Sequence, residues 1–325
     1  MIKAGIIGAA GYTAGELIRI LVNHPEVEIA WAQSSSNAGN PVTAVHEGLI
    51  GDTSLVFCDG CDLESVDVVF LCSGHGKSSE FWASHHRPDG LKVIDLAQDY
   101  RDEHDGYVYG LPEWQPDKIR NASLIANPGC FATAIQLALL PLACIRAIDS
   151  EINVTAITGS TGAGVKPGAT THFSWRTDNI SVYKVFEHQH LLEIRRNLAL
   201  EASPLRCGSD WPVINFVPVR GDFARGIFAC AHIDSDMTEE AAVKLYKDYY
   251  SSARFTFVSD APVDLKQVVN TNKCVLHVEK HGGKLVITSV IDNLLKGASG
   301  QAVQNMNLIT GLPEDCGLRL KASAF

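Results

Sequence analysis

The stretch "KAGIIGAAGYTAGELIRILVNH" (residues 3–24) constrains this chain most. "KAGIIGA" reads as a buried strand, and "AGELIRILVNH" as a helix with Leu17, Ile20 and Leu21 on one face. "VEIAWAQ" follows as a second strand, and "VDVVFLCS" and "LKVIDLA" as two more, rich in β-branched residues. Strand, helix, strand at this spacing implies a parallel sheet with right-handed crossovers. Gly8 permits the tight turn between strand and helix, and Gly11 lets the backbone approach a pyrophosphate at the helix N-terminus. The pattern departs from strict G-x-G-x-x-G, since its first interval is two residues and Ala14 precedes Gly15. Its place between a strand and an amphipathic helix still marks a dinucleotide site, with Gly8, Ala10, Gly11, Tyr12 and Thr13 around the phosphates.

The end of the second strand indicates which dinucleotide. An NAD site expects a carboxylate there for the ribose, whereas the chain reads Gln33, Ser34, Ser35, Ser36, Asn37. Hydroxyls and an amide can donate to a 2′-phosphate, and no carboxylate repels it, which favours NADP(H). The arginine that often completes such a site is missing. "LCSGHGKS" forms a second loop at the carboxyl edge of the sheet, where Gly74 and Gly76 could admit the ribose or nicotinamide. His75 reads as a hydrogen-bonding loop residue rather than a base.

Beyond about residue 150 the texture changes. "EINVTAITG", "PVINFVPV", "GIFACAHID", "TNKCVLHVEK" and "KLVITSVID" read as longer strands of an antiparallel or mixed sheet. "HQHLLEIRRNLAL" and "TEEAAVKLYKDYYS" are helical, and "GASGQAVQNMNLITGL" returns to a helical pattern with Ala302, Met306 and Ile309 on one face. The expected class is α/β, a Rossmann-type parallel-sheet domain followed by a domain with a large mixed sheet, which the family resemblance described below makes an inserted α+β catalytic domain.

"LIANPGCFATAIQLALLPL" (residues 124–142) sets a cysteine at a helix start. Asn127 is a favoured N-cap and Pro128 suits the first helical position. Cys130 then sits in the first turn, where unpaired amides and the dipole favour a thiolate. The plain alternative is a small buried hydrophobe. A reactive cysteine needs a proton partner, and "FEHQHLLEIRRNL" offers His188 and His190, with Glu193 three residues after His190 and on its face. Surface histidines at a helix start are the ordinary reading of that segment. Arg101, beyond a strand end, could fork onto a phosphate. "GSTGAGVKPG" (residues 159–168), with Ser160 and Lys166, could wrap an anion with backbone amides.

Bulk properties exclude other classes. The formal charge of −10 argues against a nucleic-acid or anionic-membrane surface, and no apolar run reaches the roughly 20 residues of a membrane span. The N-terminus has the look of a signal peptide, but its glycines fall where a nucleotide-binding turn needs them. Nine cysteines without framework spacing suit a reduced, cytoplasmic protein. "CDGC" (residues 58–61) has metal-knuckle spacing, but no second pair follows at zinc-ribbon distance, so a surface turn and no metal are expected.

Taken together, GAAGYTAGEL, VIDLAQDYR, YGLPEW, NPGCFAT, GSTGAG, EHQH, RG at 220–221 and DNLLKGASGQAVQNMN resemble the N-acetyl-γ-glutamyl-phosphate reductases of arginine biosynthesis, in order over nearly the whole chain. The related aspartate-semialdehyde dehydrogenases share the architecture. The resemblance implies a dinucleotide-binding domain of residues 1–129 and 298–325 and a catalytic and oligomerisation domain of residues 130–297. It maps the nucleophile to Cys130 and the acid/base to His190 with Glu193 behind it. Substrate contacts map to His188 and Arg101, with Asn127, Ser160 and Lys166 beside them, and Asn293 maps to the nicotinamide end. It implies reduction of an N-acyl-γ-glutamyl phosphate through a cysteine thioester, with NADP(H) and no metal, while the large open sheet of the second domain, a face that wants covering, leads to the expectation of a dimer or tetramer. The family often has proline two residues after the second histidine, where this chain has Leu192. The basic, aromatic segment at 168–184 adds an expectation that Arg176 or Lys184 meets a second carboxylate, which would make the acyl group succinyl rather than acetyl. Other readings are an enzyme acting on aspartyl phosphate and a non-catalytic dinucleotide sensor.

Overall fold

The computed structural model describes residues 1–202 and 212–323. It divides into two compact units, Met1–Pro128 with Ala298–Arg319, and Gly129–Gly297 with Leu320–Phe325.

The first unit carries seven parallel strands: β1 (Ile2–Ile7), β2 (Val27–Gln33), β3 (Phe57–Cys58), β4 (Val68–Leu71), β5 (Lys92–Asp95), β6 (Val108–Tyr109) and β7 (Leu124–Ala126). They lie in the order β3-β2-β1-β4-β5-β7-β6, all neighbours parallel. The order reverses beside β1, so the turns after β1 and β4 open side by side at the carboxyl edge, where doubly wound sheets bind ligands. Helices α1 (Tyr12–Leu21), α2 (Lys77–Ser84) and α3 (Pro116–Arg120) supply the crossovers. β4 is buried at every residue, which is why it reads as an unbroken apolar run.

The second unit holds β8 (Ile152–Thr158), β9 (Ser181–Val182), β10 (Ile214–Arg220), β11 (Ile227–Asp234), β12 (Thr256–Ser259), β13 (Cys274–His281) and β14 (Lys284–Ile291), in the order β12-β13-β14-β11-β8-β10-β9. The sheet is mixed: β8–β10 and β12–β13 are parallel, the other pairs antiparallel. Helices α4 (Cys130–Cys144), α5 (Phe173–Arg176), α6 (His190–Ala202) and α7 (Glu239–Tyr249) belong to this unit. α4 is buried from Phe131 through Ala143 and contains Pro141. Proline has no N–H to give the carbonyl four residues back, and the Tyr250 hydroxyl donates to that freed Leu137 oxygen at 2.6 Å.

The last helix, α8 (Gly300–Ile309), returns to the first unit and corrects one expectation. Instead of one apolar face it is buried all round, and the NH₂ groups of its Asn305 and Asn307 are bonded to match. Asn305 Nδ2 donates to Gly110 O and Asn127 Oδ1, and Asn307 Nδ2 donates to the Glu314 and Cys316 carbonyls. The tail also differs from the expected division. Residues 320–323 belong with the second unit, where Ser323 N donates to Val269 O.

Candidate active site

The glycine turn of the first unit has the geometry a pyrophosphate needs. Gly8 has φ +76, and a Cβ there would lie 3.0 Å from the backbone of Cys72 and Ser73. Gly11 is the N-cap of α1, and a Cβ on it would meet nothing nearer than Gly8 O at 3.9 Å. The space about this cap is therefore clear, and no acidic side chain stands in the first turn of α1 to repel a phosphate. Gly15 has another cause: a Cβ would strike the His46 ring at 2.6 Å, and His46 Nε2 bonds Ala9 O at 2.8 Å. His46 thus buttresses the turn, a contact no local pattern announces. These are the features of a nicotinamide dinucleotide site, and Ala10, Tyr12 and Thr13 lie on the same turn.

After β2, Gln33 and Asn37 organise the serines. Gln33 Nε2 donates to Ser35 Oγ, and Asn37 Nδ2 to Ser34 Oγ and Ser36 Oγ, while Ser34 is buried and Ser35 and Ser36 are exposed. No carboxylate stands between 33 and 37. The adjoining CDGC segment is less superficial than expected, because Cys58 and Cys61 pack half-buried against the core. Gly74, His75 and Gly76 are exposed, with Gly76 at φ +81 capping α2, and His75 Nδ1 accepts from Gln98 N.

In the second unit, Cys130 is the first residue of α4, half-buried, and Gly129 (φ −71, ψ 150) is the N-cap. Asn127 was the expected cap. Its side chain instead donates to Ala298 O and accepts from Asn305, because the chain stays extended through Asn127, whose N–H donates to Asp95 O. The amide end of α4 is closed by Glu193, whose Oε2 accepts from Gly129 N at 3.1 Å. The first i→i−4 bond is Thr133 N to Gly129 O, which leaves the Cys130, Phe131 and Ala132 amides in the dipole-bearing first turn.

The histidines are not surface groups. His188, His190 and Glu193 are each 5% exposed. α6 starts at His190 with His188 just outside it, so the two rings meet at 4.6 Å instead of pointing apart as they would within one helix. His188 Nδ1 accepts from His190 N, and Phe131 packs edge-on against both rings. Cys130, His188, His190 and Glu193 therefore gather around the start of α4.

The other expected residues differ in what already holds them. The Arg176 guanidinium donates to the carbonyls of Thr170, Asn179 and Arg220 and to Ser181 Oγ, so it staples the 168–184 segment and offers no open fork. Lys184 is exposed and donates to Gln189. The 159–168 loop is no amide cradle either. The amides of Gly159, Ser160 and Thr161 donate to Gly226, Phe223 and Ala224 carbonyls, and a Cβ on Gly159 would strike Ala224 O at 2.4 Å. Its glycine serves close strand approach, and Lys166 projects from an exposed stretch. Arg101, in the first unit, is 6% exposed, with Nε on Asn127 O and Nη2 on Leu96 O. Asn293 is buried, accepting from Gly226 N and donating to Thr161 Oγ1.

Several groups escaped the sequence. Gly297 lies against Cys130: a Cβ on it would sit 2.7 Å from Cys130 Cβ. Asp292, fully buried, holds that segment by accepting from Leu294 and Leu295 amides on Oδ1 and from Asn270 N and Arg225 on Oδ2, while its carbonyl accepts from Gly297 N. Tyr183 and Arg220 form a further pair, with the guanidinium carbon 4.6 Å from the ring centroid. Burial pushes the Tyr183 hydroxyl up to about 12, with Arg220 opposing and the Cys130 charge adding. Their signal was faint: an aspartate in DNLLKG and an arginine in VPVRG.

Residues 3–122 match the family described as "Semialdehyde dehydrogenase, NAD binding domain" and residues 130–293 "Semialdehyde dehydrogenase, dimerisation domain". Aspartate semialdehyde dehydrogenase II of Vibrio cholerae, complexed with ASA, superposes with a TM-score of 0.74 at 18% identity over 96% of this chain and 98% of that one. The Candida albicans enzyme with NADP gives 0.74 at 18% identity over 95% and 98%. At those identities the likeness is one of fold. Over full length, the chain is 58% identical to the N-acetyl-gamma-glutamyl-phosphate reductase of Azobacteroides pseudotrichonymphae genomovar. CFP2, covering 100% of both. It is 57% identical to that of Phocaeicola vulgatus and 49% identical to that of Flavobacterium johnsoniae, again over 100% of both chains. A glycine turn at a doubly wound sheet, a helix-start cysteine flanked by buried histidines, and full-length identity near 58% lead to one assignment: the chain is an oxidoreductase of the N-acetyl-γ-glutamyl-phosphate reductase family.

Proposed function

We propose that the chain reduces N-acyl-γ-glutamyl phosphate to the semialdehyde with release of phosphate, in arginine biosynthesis, using NADPH and a covalent cysteine. One observation carries this reading: Cys130 opens α4 with Glu193 bonded at the cap and two buried imidazoles around Phe131.

The Gly8–Thr13 turn would hold the dinucleotide pyrophosphate, and Ser34, Ser35 and Ser36 the 2′-phosphate end, with Gly74, His75, Gly76 and Asn293 toward the nicotinamide. Bound there, the reduced nicotinamide supplies hydride. The chain's residues do the rest. The Cys130 thiolate attacks the γ-acyl carbon, the bond to the phosphate oxygen breaks, and a thioester forms. First-turn amides of α4 lie where the oxyanion develops, a placement typically worth about 10²–10³-fold. His190 donates and later takes the proton at the substrate oxygen, and Glu193 fixes the first turn of α6 that carries it. Arg101 donates to the phosphate, and Asn127, Ser160, Lys166 and His188 complete the substrate contacts. The dimerisation-domain match supports a homo-oligomer built through the second unit.

The test is phosphate-dependent NADP reduction by the semialdehyde, with and without alkylation of Cys130. Cys130→Ser should lose on the order of 10⁴-fold in kcat while still binding NADPH. A loss below tenfold ends the covalent reading, and activity on aspartate semialdehyde alone would favour the aspartyl-phosphate reading.

A further inference from the structure

Between β2 and β3 the chain makes two short 3₁₀ turns, Val42–Ala44 and Glu47–Leu49, and His46 stands half-buried between them. The segment is pinned: Val42 and Leu49 are buried, Val42 N donates to Leu55 O, and His46 N donates to Val42 O. This delivers the imidazole to one place. Its Nε2 lies 2.8 Å from Ala9 O, and its Nδ1 and Cε1 fill the space that a Cβ on Gly15 would need, at 2.6 and 2.7 Å. Phe57 flanks it, with ring centroids 6.2 Å apart. A carbonyl can only accept, so Nε2 carries the proton and donates.

That bond orients a peptide plane. In a trans peptide the C=O and the following N–H point in opposite directions. With Ala9 O turned to His46, the Ala10 N–H therefore faces away from the ring, and among the described residues it donates to no acceptor of the chain. The peptides before it are tied to the end of β2, since Ala9 N donates to Gln33 O at 2.8 Å and Gly8 N to Gln33 Oε1 at 3.4 Å. Flanked by Gly8 and Gly11, the turn has little steric stiffness of its own, so an outside clamp on Ala9 O decides where the Ala10 amide points.

We propose that His46 is a positioning residue for the cofactor: its Nε2–H holds the Ala9 carbonyl and so aims the Ala10 amide at the dinucleotide pyrophosphate. The proposal rests on the cofactor site given above and is independent of the acyl substrate. It also accounts for Gly15, whose missing side chain is what lets the ring reach Ala9 O. In this role His46 acts through the peptide and not by touching the cofactor.

The experiment titrates the full-length wild type, His46→Phe and His46→Gln with NADPH, by nicotinamide fluorescence. A second titration, by calorimetry, uses adenosine 2′-monophosphate, which has no pyrophosphate. Phenylalanine keeps a ring against Gly15 and Phe57 but has no N–H, whereas glutamine keeps an N–H at the reach of Nε2. His46→Phe should raise the NADPH Kd about 10–100-fold, the weight of one charge-assisted hydrogen bond, and leave the Kd of the fragment within about twofold. His46→Gln should stay within about fivefold of wild type for NADPH. The same comparison with NADH and adenosine frees the result from the 2′-phosphate. An unchanged NADPH Kd in His46→Phe overturns the proposal. Equal losses in His46→Phe and His46→Gln overturn it too, because the donor would then not matter. So does equal weakening of NADPH and the fragment, the mark of a distorted first unit. A wild type that binds neither NADPH nor NADH would instead overturn the cofactor reading.

Discussion

Asp95 ends β5 with no exposed surface, and its pKa is raised to about 6, chiefly by burial. Ser78 Oγ and Ala97 N both donate to Oδ1 at 2.8 Å, while Oδ2 has no partner among the described residues. The native state therefore holds the Asp95 proton more tightly than the unfolded chain does, whose value is near 3.8. Its contribution to stability is fully present below pH 3.8 and is lost as pH rises through about 6. At about 1.36 kcal/mol per unit, that interval amounts to about 3 kcal/mol. Asp95→Asn keeps the Oδ1 acceptor and never ionises. Its buried NH₂ costs about 1–3 kcal/mol, but equally at every pH. The quantity to measure is thus a difference of differences: the stability of Asp95→Asn relative to wild type at pH 7.5, less the same at pH 4. Native-state hydrogen exchange of the peptide 91–97, corrected for intrinsic rates, isolates this strand from the second unit. The expected value is about 2 kcal/mol in favour of the variant, less than the full interval because the unfolded carboxyl is already partly ionised at pH 4. Parallel profiles, differing by under about 1 kcal/mol, would show that Asp95 is no buried, proton-hungry carboxylate.

Three further perturbations probe the site. Gly297→Ala places a methyl 2.7 Å from Cys130 Cβ and should cut kcat and Cys130 alkylation together by about 10–100-fold, with NADPH affinity unchanged by fluorescence titration. Arg225→Met strands the buried Asp292 carboxylate. It should cost about 3 kcal/mol in urea unfolding, the low end for a broken buried pair, because Arg225 keeps 21% exposure and Asp292 keeps its amide donors. Ser35→Asp puts a carboxylate at the exposed end of β2. It should raise KM for NADPH at least about tenfold and spare NADH, and equal effects on both would remove the 2′-phosphate role.

Much of this protein was legible because period and position are local properties. Unbroken apolar runs followed by glycine turns implied parallel strands, and VEIAWAQ is β2 to the residue. A cysteine ahead of good helix formers implied a helix start. Where longer-range contacts compete, local reading slipped. Asn127 is a good cap in isolation, yet α8 claims its amide and Gly129 caps α4 instead. The hydroxyl-rich loop at 159–168 suggested an anion cradle, but residues 223–226 take its amides as strand-like partners. Arg176 and Lys184 looked equally available by composition, and only the fold shows the first spent on carbonyls.

The sequence by itself determined the two-part architecture, the dinucleotide turn and the candidate nucleophile, because periodicity, φ-permissive glycine and helix-start chemistry act within a few residues. Tertiary structure alone decided that Glu193 closes the end of α4, that Gly297 lies against Cys130, and that the Arg176 guanidinium is spent on carbonyls. Those outcomes turn on which donors and acceptors distant segments bring within about 3 Å, and hydrogen bonding at that range carries no sequence period.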